Sequence, residues 1–222
     1  MDPIALTNIV TSISIVAGRG LADTSNTPIA NAYDTLKALL TKKFEGKSEV
    51  AQAIDQLEAK PDSASNKQAL EEKLITVKAE QDSEVLSASE SLLKLIHFQT
   101  NISLLHPDIY KKCKHLFEAG EYAESVEKSF KVVRDRLRHL TSYETGAEAF
   151  GRGNLHVKGA AALNVDRDFN EGVKFLTMSI DKFRNEKSHT SDAKISEPQR
   201  AYEYLCMSSL AMHLLEEAEI AP

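Results

Sequence analysis

Apolar residues recur three and four positions apart along most of this 222-residue chain, and no stretch strictly alternates apolar with polar. That rhythm lays one face of a helix against a core and does not suit a pleated strand. Glycine (9) and proline (6) are scarce for the length, whereas an all-β fold needs turn residues at every reversal. Hydrophobic residues make up 42% of the chain, enough to bury a core rather than stay disordered. The expected fold class is all-α, a helical bundle preceded by an N-terminal helical hairpin. The expected division is 1–98 and 99–222.

The helices can be placed from local signals. Ile4, Leu6, Ile9, Val10, Ile13, Val16 and Ala17 share a face, with Gly18 and Gly20 at its end. Such a β-branched, small-residue helix suits self-association, docking of a partner helix, or burial in a local core. Thr27-Pro28 opens the second helix as cap and first-turn proline; it carries Ile29, Tyr33, Leu36 and Leu40 and stops before Gly46. A third spans Ser48 to Ala59 and ends at Lys60-Pro61, because the residue before proline avoids helical geometry. One long tract is then expected from Ser65 to about Phe98, with the serine-rich stretch Ala79 to Ser91 as a linker or exposed connecting helix. Leu105-His106-Pro107 starts the second part, His106 acting with Pro107 as a helix-start device. A short helix through Ile109, Cys113 and Phe117 closes at Gly120, and a longer one carries Tyr122, Val126, Phe130, Val133 and Leu137. Glycines 146, 151, 153 and 159 mark a loop-rich region around a short helix. Further helices are expected from Phe169 to about Asn185 and from Pro198 to about Ile220.

Composition narrows the function classes. The net charge is −6, with 10 basic against 14 acidic residues in 1–100 and 17 against 19 in 101–222. A protein that grips nucleic acid over a broad surface shows a basic excess, so only a local RNA-handling site is compatible. Cys113 and Cys206 share no metal-ligand spacing and read as buried free thiols of a reducing compartment. The N-terminus lacks a basic leader start, and the Ile4–Ala17 stretch is too short and too polar to span a bilayer. A soluble, cytoplasmic protein without a membrane partner is expected. The seven histidines are scattered and none has a partner at a tight zinc spacing; neither metal nor cofactor is expected.

One segment carries chemistry: Phe183-Arg184-Asn185-Glu186-Lys187-Ser188-His189, where a strongly amphipathic helix runs into a polar loop. Arginine can hold a phosphate bidentately and stabilise the charge that builds on it. Histidine titrates near neutrality and can move a proton to or from the ribose 2′-hydroxyl or the leaving 5′-oxygen. A basic pair at a helix C-terminus also serves the helix dipole. Lys131, Arg134 and Arg138 lie at i, i+3 and i+7 on one helix face, where they could meet RNA phosphates or simply form a solvated face; Lys187 is a further candidate phosphate contact.

The context of that segment adds to it. His106-Pro107-Asp108-Ile109, then Leu116-Phe117-Glu118-Ala119-Gly120-Glu121-Tyr122-Ala123-Glu124-Ser125-Val126, then Phe130-Lys131, Val133 and Arg134 resemble the start of the HEPN-domain family of bacterial conflict and abortive-infection proteins. Tyr204-Leu205-Cys206-Met207-Ser208-Ser209-Leu210 resembles its Leu- and Ser-rich last helix. The resemblance covers about 115 residues and implies a helical HEPN-like bundle with metal-independent endoribonuclease activity. It places the catalytic arginine and histidine on Arg184 and His189 and the polar residue after the arginine on Asn185. Glu186 stands where the family has proline. On an ideal helix Arg184 and His189 point about 140° apart, so either the helix loosens near Ser188 or two chains share the site. The resemblance implies the latter, a homodimer or larger even-numbered assembly acting on RNA. Met1-Asp2-Pro3-Ile4, Gly18, Leu21, Asp23-Thr24 and Ala32-Tyr33-Leu36-Lys37-Leu39-Leu40 look like helical modules fused ahead of effectors in bacterial defence proteins. That likeness implies a regulatory protein partner for residues 1–98. The alternatives are a toxin-like HEPN silenced by a partner, a non-catalytic HEPN-like domain that binds RNA, a nucleotide or a protein, and a structural helical adaptor.

Overall fold

A computed structural model describes residues 3–23, 27–44, 48–188 and 195–221. These are overwhelmingly helical, as the periodicity requires, and the chain divides into two units, 1–97 and 98–222.

The first unit contains α1 (Pro3–Gly18), α2 (Pro28–Lys43), α3 (Ser48–Ala59), α4 (Ala64–Thr76) and α5 (Ser83–Asn101), the last of which carries the chain past the division. Thr27 caps α2, its Oγ1 accepting from the Ala30 amide at 3.2 Å, and Pro28 fills the first turn. Ser63 caps α4 in the same way through the Asn66 amide. The expected hairpin of α1 and α2 is only part of this unit, because α1 packs chiefly on α3 and α4. Leu6, Ile9, Ile13 and Val16 of α1 are fully buried there among Leu36, Leu40, Ile54, Leu57, Leu70, Leu74 and Leu92. The apolar face of α1 is therefore used in its own core. Its buried serines Ser12 and Ser14 turn back onto the helix, donating to the carbonyls of Ile9 and Val10.

The single tract expected from Ser65 to Phe98 is two helices. Between them Lys78 takes a left-handed conformation (φ 57°), a short 3-10 turn covers Ala79–Gln81, and Asp82 caps α5 by accepting from the amides of Glu84 and Val85. The stretch read as a linker contributes buried Ala79, Val85 and Ser89. It is part of the first core, and the side-chain cap at Asp82 breaks the helix without any glycine or proline.

The second unit contains α6 (Pro107–Glu118), α7 (Tyr122–Thr141), α8 (Gly146–Gly151), β1 (Leu155–Val157), α9 (Asp166–Ser188), α10 (Pro198–Glu216) and β2 (Ala218–Ile220). Helix α7 is central and packs on α6, α9 and α10. Its Val126, Phe130, Val133 and Leu137 bury against Ile109 and Cys113 of α6, Ile180 of α9, and Leu205, Ala211, Met212 and Leu215 of α10. Small residues let α7 and α10 approach closely, and the buried Ser129 and Ser208 hydroxyls meet at 2.9 Å. Gly120 ends α6 at φ 81°, a left-handed position that suits glycine, with its own amide and that of Glu121 returning to the carbonyls of Phe117 and Leu116. Gly146 lets α8 lie against α9, since a Cβ there would run into the Thr177 side chain.

Strands β1 and β2 pair antiparallel, with Leu155 opposite Ile220 and Val157 opposite Ala218. This small ribbon sits within an all-α fold and shortens the last helix, which stops at Glu216 rather than about Ile220. Three residues per strand are too few for an alternation to stand out. Asn170 of α9 ties the ribbon down by accepting from the Val157 amide and donating to its carbonyl.

Candidate functional site

Arg184 lies in the last turns of α9, which stays helical through Ser188. The loosening near Ser188 considered from the sequence is absent up to that residue. Arg184 is half-buried, its Nε inside the protein, and it lines a small hollow with Ala123, Val126, Glu127 and Phe130 of α7 and Ile195. His189 lies outside the described residues, as do the side chains of Asn185 and Lys187 on the same turn. The structure therefore fixes one member of the expected pair and leaves the rest of the motif undescribed.

Beside the hollow is an open groove of about 560 Å³ lined by Phe183, Glu197, Gln199, Arg200, Glu203, Tyr204 and Met207. Phe183 borders both spaces, and its ring packs on Tyr204 at 5.4 Å while remaining 41% exposed. Tyr204 packs edge-on against Phe130 from the other side, and the Arg200 guanidinium lies 5.7 Å over its ring. An aromatic wall with an arginine over it can stack a flat ligand, and Glu197, Gln199 and Glu203 offer hydrogen-bonding edges. Arg200 and this groove did not emerge from the sequence, because their juxtaposition with Arg184 depends on how α9 folds back onto α10.

The three cations expected to meet RNA along α7 are held by carboxylates. Lys131 pairs with Glu127 at 2.6 Å. Arg134 pairs with Glu144 and approaches Asp181 at 4.0 Å, and Arg138 pairs with Asp135 and Glu144. These carboxylates offset the charge of the three cations, and exposed pairs of this kind contribute little stability each. On α9, by contrast, Phe175 is 72% exposed, and Phe183 is also outside the core.

A second cluster joins the ends of α6 and α10. His106, 4% exposed, is the N-cap of α6, its Nδ1 accepting from the Asp108 amide at 3.2 Å, which matches the helix-start role read from the sequence. Its amide donates to Ser209 Oγ, and its Nε2 is 3.0 Å from Glu216 Oε1 in the last turn of α10. His213 Nδ1 lies 3.7 Å from the other oxygen of Glu216, and the two imidazole rings meet edge-on at 4.8 Å. The hydrogen bond from His106 holds the Glu216 carboxyl below its ordinary pKa. These three side chains are a group that could hold a metal ion. The sequence reading that no histidine has a partner at a tight zinc spacing passed over His213 and Glu216, three apart on α10, and folding brings His106 to them from 110 residues away.

Both cysteines are free. Cys113 is fully buried, and desolvation pushes its thiol up to about 12, whereas Cys206 is only half-buried, contrary to the expectation for it. No helix among the described residues is long and apolar enough to cross a membrane.

No curated protein and no solved structure matches the chain. Two family models do. The Het-E N-terminal domain matches residues 1–146, spanning the whole first unit together with α6 and α7. A family described as a protein of unknown function, Hypoth_ymh, matches residues 103–215, from just before α6 almost to the end of α10. The chain thus belongs to the Het-E N-terminal domain family over residues 1–146 and to the Hypoth_ymh family over residues 103–215.

Proposed function

We propose that the second unit is a metal-independent RNA endonuclease of the HEPN type, an effector of bacterial defence or toxin-type systems, and that the first unit docks a regulatory protein. The observation that carries the reading is the position of Arg184 beside the groove of Phe183, Tyr204 and Arg200. Unpaired RNA bases stack on such aromatic and guanidinium surfaces, and a stacked base would bring its phosphate toward Arg184. Arg184 would bind the non-bridging oxygens and stabilise the charge developing on them. His189 would move the proton while the ribose 2′-oxygen attacks phosphorus and the bond to the 5′-oxygen breaks, leaving a 2′,3′-cyclic phosphate. Asn185 and Lys187 would assist at the phosphate.

Two chains meeting along α9 would bring Arg184 of one to His189 of the other. The exposed Phe175 and Phe183 support that contact, because large apolar side chains left in solvent mark interaction surfaces. A second reading, a non-catalytic domain that binds RNA, a nucleotide or a protein partner, is favoured by the ion-paired α7 cations and by the acidic Glu197 and Glu203 at the groove.

The test uses full-length protein, total RNA and excess EDTA. Cleavage with cyclic-phosphate ends is expected, DNA is not cut, and Arg184→Ala and His189→Ala each lose about 10³-fold or more. Mixing the two inactive variants restores activity if the cleft draws on both chains. Wild-type cleavage by either variant, or an absolute need for added Mg²⁺, overturns the assignment.

A further inference from the structure

We propose that His106, His213 and Glu216 form a zinc(II) site that clamps the start of α6 to the end of α10. The donor set is two imidazoles and one carboxylate, which suits zinc and disfavours magnesium and calcium, the all-oxygen cations. Around a tetrahedral zinc, ligand atoms stand about 3.3 Å apart, given bonds of about 2.0–2.1 Å. Here His106 Nε2 is 3.0 Å from Glu216 Oε1, His213 Nδ1 is 3.7 Å from the carboxylate's other oxygen, and one ligand atom from each residue lies within 4.8 Å of the others, so the set closes on zinc by turning the exposed His213 and Glu216 side chains. One ligand is rigid and two are adjustable: His106 is buried, while the side chains of His213 and Glu216 are 52% and 57% exposed. The exposed side leaves the fourth position to water.

Binding has a structural consequence that distinguishes it from adventitious surface chelation. In the metal-free protein the Asp108 amide donates to His106 Nδ1, which leaves Nε2 as the ring's N–H, donating a hydrogen bond to Glu216. Zinc needs the Nε2 lone pair. The ring proton therefore moves to Nδ1, and the cap bond to Asp108 is exchanged for a coordinate bond, while the α6 N-terminus stays anchored through the His106 amide on Ser209. The site is independent of the ribonuclease reading. Glu216 lies twelve residues beyond Tyr204 on one helix, about 18 Å at 1.5 Å per residue, so the clamp is at the far end of α10 from the Arg184 groove.

The experiment titrates zinc sulfate into the metal-stripped full-length chain by calorimetry, with amide exchange at Asp108 and thermal melting read in parallel. One zinc per chain is expected at micromolar affinity or tighter, with faster exchange at Asp108 and a Tm several degrees higher. His213→Ala and Glu216→Gln change exposed side chains, and His106→Asn keeps an N-cap residue while removing the ligand. Each should weaken zinc by at least about 100-fold and abolish the Tm gain. Wild-type affinity in the variants, an unchanged Asp108 amide, or wild-type binding no tighter than millimolar overturns the proposal. None of these results depends on RNA cleavage.

Discussion

Truncating Phe130 tests whether α7, α9 and α10 depend on one buried ring. Phe130 is 2% exposed, packs edge-on against Tyr204 at 5.7 Å and walls the hollow that holds Arg184. Phe130→Ala loses the transfer free energy of the ring and leaves a cavity, about 3–5 kcal/mol in cores of this kind. The aromatic pair with Tyr204 accounts for about 0.5–1.5 kcal/mol of that. Against a total stability of about 5–15 kcal/mol this is about a fifth or more, equivalent to a Tm lower by roughly 10–20 °C for a unit of this size. Phe130→Leu keeps most of the volume and costs about 1–2 kcal/mol. The chain has no tryptophan and six tyrosines, of which only Tyr33 falls in the first unit. Near-UV circular dichroism during urea unfolding therefore follows the second unit. A loss below about 1 kcal/mol for the alanine variant, or equal losses for alanine and leucine, would refute the packing argument.

Other perturbations are as specific. Gly146→Ala pushes a methyl into Thr177 Oγ1 and to within 3.0 Å of the Met178 backbone nitrogen, so α8 must move off α9, at a cost of about 1–3 kcal/mol; Gly151→Ala meets open space and leaves the melting curve within about 0.5 kcal/mol of wild type. Asp82→Ala removes the cap of α5 and the bond to Lys43, costing about 0.5–2 kcal/mol in chemical denaturation. Because the bond from Lys43 lowers the Asp82 pKa, this contribution is present above the ordinary carboxylate range and is lost as pH falls through the lowered value, so wild type and variant converge in acid. Burial protects Cys113, which should react with a thiol reagent at neutral pH only on unfolding while Cys206 reacts slowly in the native protein; rapid native labelling at Cys113 would contradict its placement.

Features settled within a few residues of chain were legible before any folding was considered. Thr27-Pro28 and His106-Pro107 start helices and Gly120 ends one because a cap or a left-handed residue satisfies backbone groups locally. The helical period of Ile109, Cys113, Phe117 and of Val126, Phe130, Val133, Leu137 marked core faces for the same reason, since each face repeats within its own helix. Arg184 and His189 were legible only as a motif. Which faces meet was set by long-range packing. It put α1 into a core with α3 and α4 and paired two three-residue strands, one from the middle and one from the end of the second unit. It also left Phe175 exposed on α9 and brought His106 to Glu216. Such choices turn on partners dozens of residues away, whose free energy exists only once the chain has closed on itself, so no local pattern encodes them.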